Sequence, residues 1–504
     1  MNLSIFIRCA SVFSACLVLG LAAFACGGTK KTQYLPTHES LRGHPVPAWF
    51  QDAKLGIFVH WGPASVPGWA PLTGSLNEVL AEHGWEYWFA NNSYAEWYWN
   101  SMQIAGSPTA EYHLSTYGAD FAYEDFIPEF KFALQNWEPE NWVSLFARVG
   151  ARYVVLVTKH HDGFLLWPSE NPNPHREGYF SERDIVGELA RAVRGKGMRF
   201  GIYYSGGLDW TFADPVIRNV GDLFAAIPTG ADYAAYADTH WRELIERYRP
   251  AILWNDIGYP AGTDLFALFA DYYNRVPDGV VNNRWAQNLA DAMLGLTGDE
   301  GLDQQMLEKT HFDFTTPEYK SLNQVSSLKW ESIRGMGYSF GYNRQEEVST
   351  DHLLTVDELV DMLVDITSKN GNLLLNVGPR ADGTIPEPQT ERLEGLGEWL
   401  AVNGEAVFET RPWTRAEGRA DGGTVRVRFT QNAGPDRLYA ILLDRPAGGE
   451  VTIESLKLKP GTRVRLLGNP DELKYSQAGE NLVITLPAGL SVSAAYALRI
   501  NPRP

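Results

Sequence analysis

The sequence predicts an α/β protein: a (β/α)8-like barrel followed by a smaller all-β sandwich domain. Three observations predict it. From residue 43 to about 415, short and almost purely apolar runs alternate with amphipathic stretches. Each of these runs closes on polar or aromatic residues. Past Trp413 the texture changes to short alternating segments punctuated by Gly, Pro, Asn and Asp. Continuous apolar runs are what strands buried on both faces of a parallel sheet look like. Strands alternating with helices imply right-handed βαβ units.

The runs come in order as Leu55–His60, Tyr153–Thr158, Phe200–Tyr204, Ala251–Trp254 and Leu373–Val377. Helical patterns lie between them at Pro139–Val149, Asp184–Lys196 and Val356–Ser368, the last with Thr355 as its N-cap. No G-x-G-x-x-G follows the early strands, which favours a barrel over an open dinucleotide-binding sheet. In residues 416–504 the segments Thr424–Phe429, Leu438–Leu443, Val464–Leu467 and Asn481–Leu486 read as an antiparallel sandwich.

Residues 1–26 read as a signal peptide. Arg8 is the only charge before Lys30, and the apolar run Ser11–Ala25 is too short for a membrane span. Ala23-Phe24-Ala25 has the small-x-small pattern of a cleavage site. All three cysteines, Cys9, Cys16 and Cys26, fall in this segment. Cys26 would open the mature chain, a position that resembles the lipid-modified cysteine of bacterial lipoproteins, although Phe24 fits that pattern poorly. The sequence thus predicts export to the periplasm or beyond, and leaves both a free form and a lipid-anchored form open. Residues 27–42 read as a polar linker.

Composition narrows the partners. With 44% hydrophobic and 21% charged residues the chain belongs among soluble globular proteins. A formal charge of -18 argues against nucleic acid and against electrostatic docking to anionic lipid, so the one expected membrane link is through Cys26. The 17 Trp and 23 Tyr suit a sugar ligand as well as they suit a large core.

In parallel barrels chemistry collects at the C-terminal ends of the strands. The runs here close on His60-Trp61, Lys159-His160-His161-Asp162, Tyr204 to Trp210, and Asn255-Asp256. Adjacent histidines on an extended strand point to opposite faces. No H-E-x-x-H pattern exists and no cysteine accompanies the histidines, so neither a metal nor a cofactor is expected. Imidazoles that donate at one nitrogen and accept at the other suit the hydroxyls of a neutral polyol, and they also suit a core. Asp256 reads equally as a nucleophile or as a helix N-cap. Glycoside hydrolysis needs two carboxyl groups, and Glu96, Asp313, Glu318 and Glu331 supply more candidates than the residues alone can rank.

Several motifs, in order, resemble the α-L-fucosidases of glycoside hydrolase family 29. They are Lys54-Leu55-Gly56-Ile57-Phe58-Val59-His60-Trp61-Gly62, Ser93-Tyr94-Ala95-Glu96-Trp97-Tyr98, Thr158-Lys159-His160-His161-Asp162-Gly163-Phe164 and Leu253-Trp254-Asn255-Asp256. Lys329-Trp330-Glu331, Ser339-Phe340-Gly341-Tyr342-Asn343 and the stretch from Ser368 to Pro379 continue the series. The resemblance runs from about Pro47 to Trp413 and implies a retaining mechanism on a fucosylated glycan. It places the nucleophile at Asp256 and the acid/base at Glu318, with Glu96 and Glu331 as runners-up for the second role. It implies fucose contacts at His60, Glu96, Trp97, His160, His161, Tyr204, Trp254, Arg284 and Phe340. Two departures from the family pattern are Pro63-Ala64 after His-Trp-Gly, and Asn283 where an aspartate commonly precedes the arginine.

Overall fold

A computed structural model describes residues 33–213, 215–288, 299–432 and 436–504; the predicted signal peptide and Cys26 lie outside the described residues. Strands β1 (Leu55–Val59), β2 (Tyr153–Lys159), β3 (Arg199–Ser205), β4 (Ile252–Asp256), β5 (Val280–Val281), β6 (Trp330–Arg334) and β7 (Gly371–Val377) form one sheet in the order β5-β4-β3-β2-β1-β7-β6. Every neighbouring pair is parallel. The apolar runs are buried on both faces, as their composition predicts: β1, β2, β4 and β7 contain no exposed residue.

An irregular segment stands between the edge strands β5 and β6. Isolated parallel bridges pair Asn282 with Phe314, Thr315 with Trp330, and Glu318 with Ile333. Asp313 N donates to Val281 O at 2.9 Å, and Glu331 N donates to Thr315 O at 2.8 Å. Pro317 has no N–H to give a ladder, which is one reason this stretch carries no strand signature. It nevertheless takes the eighth place in the ring and ends on Glu318.

The surrounding helices include α1 (Leu76–Ala90), α2 (Pro139–Val149), α3 (Ile185–Gly195), α4 (Val220–Ala225), α5 (Ala231–Tyr248), α6 (Leu265–Arg275), α7 (Val356–Ser368) and α8 (Glu387–Asn403). Helix α2 starts with a proline at its first turn and ends on Gly150, which adopts a left-handed conformation. Helix α7 carries a complete capping box between Thr355 and Glu358.

The second sheet is antiparallel, with strands β8 (Thr410–Ala420), β9 (Val425–Asn432), β10 (Leu438–Leu442), β11 (Glu450–Ile453), β12 (Arg463–Leu466), β13 (Tyr475–Ala478), β14 (Asn481–Thr485) and β15 (Tyr496–Asn501). Among the described residues it is eight-stranded, in the order β12-β15-β10-β9-β8-β11-β14-β13. Leu473 N donates to Val464 O at 2.8 Å, so the edge before β13 returns to β12 and the sheet nearly closes on itself. Val427, Phe429, Leu438, Ala440, Leu442 and Leu498 fill its interior. The alternate residues Tyr439 and Ile441 of β10 belong instead to the core of the barrel unit. Strand β10 is therefore buried on both faces, and the sheet packs directly against the barrel. Trp399 Nε1 on α8 donates to Ala495 O at 3.0 Å across the same junction. Of the aromatic side chains in this sheet, Phe429, Tyr439 and Tyr496 are buried.

One boundary moves. Residues 34–41 fall within the stretch read as a linker, yet Tyr34 and Leu41 are buried. Tyr34 N donates to Asn274 Oδ1 at 2.9 Å, and the His38 ring contacts Leu307 O and Thr310 O.

Candidate active site

A cavity of about 330 Å³ opens at the C-terminal ends of the barrel strands. Its floor comes from alternate residues of neighbouring strands. Side chains two apart on a strand share a face, so Trp254 and Asp256 both face the cavity. The β3–β4 register sets Tyr203 opposite Trp254 and Ser205 opposite Asp256. The rings of Tyr203 and Trp254 stack, with centroids 5.3 Å apart, and Phe58 of β1 meets Trp254 at 5.4 Å.

The same parity corrects one predicted residue. Tyr204 does not line the cavity. It points outward to α5, where its hydroxyl bonds His240 Nδ1 at 3.0 Å and its ring lies 5.5 Å from Trp241. Tyr203 takes the place, and its hydroxyl donates to Asp256 Oδ2 at 2.8 Å. In a strand buried on both faces, two adjacent tyrosines carry no alternation that would say which faces in.

The histidine expectation also changes. His160 and His161 both line the cavity, with rings 4.0 Å apart. Strand β2 ends at Lys159 after a register shift between Val157 and Lys159. The chain then turns, Gly163 N donating to His160 O at 3.1 Å with Gly163 at φ +79°. The rule of alternation does not apply within a turn.

Hydrogen-bond partners assign the imidazole protons. Asn376 Nδ2 donates to Phe340 O at 2.6 Å, so its Oδ1 accepts from His60 Nδ1 at 2.7 Å. Ser205 Oγ donates to Leu208 O at 2.8 Å, so it accepts from His161 Nδ1 at 2.7 Å. Both rings therefore carry the proton on Nδ1 and keep Nε2 as an acceptor. Burial lowers the His60 pKa to about 4 and pushes those of His160 and His161 well below the usual imidazole range. All three are neutral at pH 7.

Asp256 stands at the end of β4 with a fixed carboxylate. Oδ1 accepts from Arg284 Nη1 at 2.9 Å and from Ile257 N at 3.0 Å. Among the described residues Oδ2 accepts from Tyr203 alone. Arg284 also donates from Nη2 to Glu318 Oε2 at 3.2 Å, and Tyr94 donates its hydroxyl to Glu318 Oε1 at 2.7 Å. One buried guanidinium thus touches both predicted catalytic carboxyl groups. Its Nε donates to Thr316 Oγ1 at 3.0 Å, and Thr316 in turn donates to Asn283 Oδ1 at 2.9 Å. The departure at Asn283 therefore braces Arg284 from behind. Pro63-Ala64, the other departure, lies outside the lining of this cavity.

The residues after both carboxylates adopt left-handed backbone, Ile257 at φ +56° and Tyr319 at φ +50°. A β-branched residue rarely does so, at a cost of about 1–3 kcal/mol. At each position the chain turns sharply as soon as the carboxylate is placed. Gly207 makes the first turn possible, because a Cβ there would stand 2.0 Å from Ile257 O.

The remaining predicted contacts also gather here. Glu96, Trp97, Trp254 and Phe340 line the cavity. Glu96 Oε2 accepts from Gly341 N at 2.7 Å, and burial raises its pKa to about 7. Trp97 meets His161 edge-on at 5.2 Å, and Phe340 meets His60 at 5.0 Å. Glu331 is not in the lining. It lies beneath Trp254, bonded to Trp254 Nε1 at 3.2 Å and to the Tyr153 hydroxyl. Asp313 sits apart as well, in a buried network with His44, His311 and Tyr273. Among the described residues His44, His311 and Asp313 are the group with metal-ligand character, but they are tied together directly or through the Tyr273 hydroxyl and none lines the cavity.

Sequence reasoning missed Tyr203, Tyr94 and the ion pair Lys159–Asp209. The pair is fully buried at 3.0 Å, and Lys159 Nζ donates to Ser205 O at 2.7 Å behind His161. Tyr94 and Lys159 stand inside motifs already singled out, yet nothing in a motif says which member touches which.

A family model described as Alpha-L-fucosidase matches residues 21–405, and one described as Alpha-L-fucosidase C-terminal domain matches residues 420–501. The chain is 32% identical over 501 residues to the tissue alpha-L-fucosidase of Rattus norvegicus, covering 96% of each chain. It is 33% identical to the plasma alpha-L-fucosidase of Homo sapiens, covering 92% of this chain and 90% of that one. Among solved structures it is similar to Thermotoga maritima alpha-fucosidase in complex with a mechanism-based inhibitor. There the TM-score is 0.80 at 44% identity, covering 93% of this chain and 100% of the other.

Proposed function

The chain belongs to the α-L-fucosidase family and is a glycoside hydrolase, and on that premise we propose that it is a retaining exo-α-L-fucosidase. In this reading it releases terminal α-L-fucose from glycans through a covalent intermediate on Asp256, with Glu318 as acid/base. The observation that carries it is Arg284, whose two terminal nitrogens contact both carboxyl groups at once. Carboxyls held on one guanidinium fit the short separation of retaining enzymes, about 5–5.5 Å, better than the about 6.5–9.5 Å of inverting ones.

Among the described residues Asp256 Oδ1 already accepts two hydrogen bonds, whereas Oδ2 accepts one. Oδ2 therefore keeps a lone pair for the anomeric carbon. As the C1–O bond breaks, protonated Glu318 gives its proton to the leaving oxygen. Water then attacks C1, Glu318 takes its proton, and Asp256 leaves as carboxylate. His60 and His161 accept from sugar hydroxyls at Nε2, and Trp254 and Phe340 offer an apolar face to the 6-methyl group. The Thermotoga maritima relative has been solved in complex with a mechanism-based inhibitor, which supports a mechanism of this kind.

Asp256→Gly tests this reading. Turnover should be lost, and added azide should restore part of it with β-fucosyl azide as product. Near-normal turnover without azide would overturn the nucleophile assignment. Export is proposed on the sequence of residues 1–26. Mass analysis of the mature amino terminus decides between a free Cys26 and a lipidated one.

A further inference from the structure

The cavity has two unlike ends. The inner end holds His60, His161, Asp256, Arg284 and Glu318, while Leu76, Leu80 and Trp85 of α1 with Val220 and Leu223 of α4 form an apolar outer wall; Asn77 and Lys320 also belong to the lining. We infer that this outer wall is the subsite for the leaving group, and that it selects leaving groups with a flat apolar ring face. The inference rests on the fucosidase reading of the same pocket.

Its position follows from the acid. A general acid stands beside the oxygen it protonates, so the leaving group lies on the Glu318 side. Helix α1 is fastened to that side, because Asn77 Nδ2 donates to Glu318 O at 3.2 Å and to Tyr319 O at 3.3 Å. The apolar wall therefore begins where the departing group must pass.

Its character follows from Trp85. Gly84 breaks α1 with φ +81° and ψ 179°, and a residue with a Cβ rarely adopts such a φ. Past that break come four aromatic residues, and they divide: Tyr87 is 40% exposed and lies outside the cavity lining, while Trp85, Trp88 and Phe89 belong to it. Trp88 and Phe89 are buried at 3% and 1% exposure, whereas Trp85 stays 39% exposed. Trp85 lies nearly parallel to Phe89 with centroids 5.9 Å apart, and Trp88 meets it edge-on at 6.0 Å. An exposed indole backed by two fixed rings is a rigid platform at the mouth of a sugar site. Such a surface gains little from hydroxyls and much from an aryl ring or the C–H face of a pyranose.

Trp85→Ala with three substrates tests it. These are α-L-fucosyl fluoride, whose leaving group is one atom, 4-nitrophenyl α-L-fucoside, and a fucosyl-galactose disaccharide. Relative to the fluoride, kcat/KM for the two larger substrates should fall about five- to tenfold, the loss expected of one aromatic contact. Trp85→Phe, which keeps a flat ring, should restore most of it. A loss on only one of the larger substrates supports the subsite and assigns it to aryl or to sugar rings. An equal loss on all three, or none on any, overturns it. Failure of the fucosidase reading itself would show separately, as no turnover of any fucoside by the unaltered enzyme.

Discussion

Tyr203→Phe removes a single oxygen, the hydroxyl that donates to Asp256 Oδ2 at 2.8 Å. In the proposed mechanism Oδ2 loses charge as the intermediate forms and regains it as the intermediate breaks down. The hydroxyl therefore helps the second step most. A hydrogen bond to a charged group is worth about 1.5–3 kcal/mol, and 1.36 kcal/mol is tenfold in rate. The substitution should lower kcat on a good aryl fucoside roughly 10- to 100-fold. Stopped-flow measurement of aryl release should show a burst near one equivalent before the slowed steady state, because breakdown becomes limiting. The paired control is Tyr204→Phe, which loses a neutral hydrogen bond to His240 outside the cavity. That costs about 1 kcal/mol of stability and should leave kcat within about twofold, since no group of the reaction is touched. A Tyr203→Phe enzyme with unchanged kcat and no burst, or a larger kinetic loss in Tyr204→Phe, would refute both the register and the role.

Three further outcomes are expected. Glu318→Ala should keep far more activity on dinitrophenyl fucosides than on disaccharides, because only poor leaving groups need its proton. Equal loss would move the acid role to Glu96, which shares the cavity. Lys54 Nζ is buried with no hydrogen-bond partner among the described residues, and its pKa is lowered to about 7, chiefly by burial. Between pH 7 and the ordinary lysine value of 10.5 the unfolded chain binds more protons, so stability rises with pH across that window. Lys54→Met should raise Tm at pH 7, with a gain that shrinks toward pH 10.5, as calorimetry across that range would show. Glu331 shifts the other way, its pKa raised by burial from 4.5 to about 7. Its contribution is full below pH 4.5 and is lost by about pH 7, so the Tm advantage of the native enzyme over Glu331→Gln should fade over that interval.

The barrel was legible because its strands are buried on both faces and announce themselves as apolar runs such as Tyr153–Thr158. The polar closures of those runs led to His60, His160, His161 and Asp256, and the cavity gathers all four. Burial on both faces also erased information. With no polar alternation in β3, the choice between Tyr203 and Tyr204 passed to the β3–β4 register, a contact between residues some fifty positions apart. The turn after Lys159 overrode strand parity for the two histidines, and local sequence does not reveal where a strand stops. Glu318 rides an irregular segment that reads as loop, because Pro317 lacks the N–H of a regular ladder. Glu331 stands in the Lys329-Trp330-Glu331 motif but lies below Trp254, a separation in depth that linear order cannot encode. The sequence by itself determined the class of fold, the strand ends and the chemical types available there. Only the tertiary structure decided which of those side chains meet, because Arg284 reaches Asp256 and Glu318 across 28 and 34 residues, through the register of a nearly closed ring.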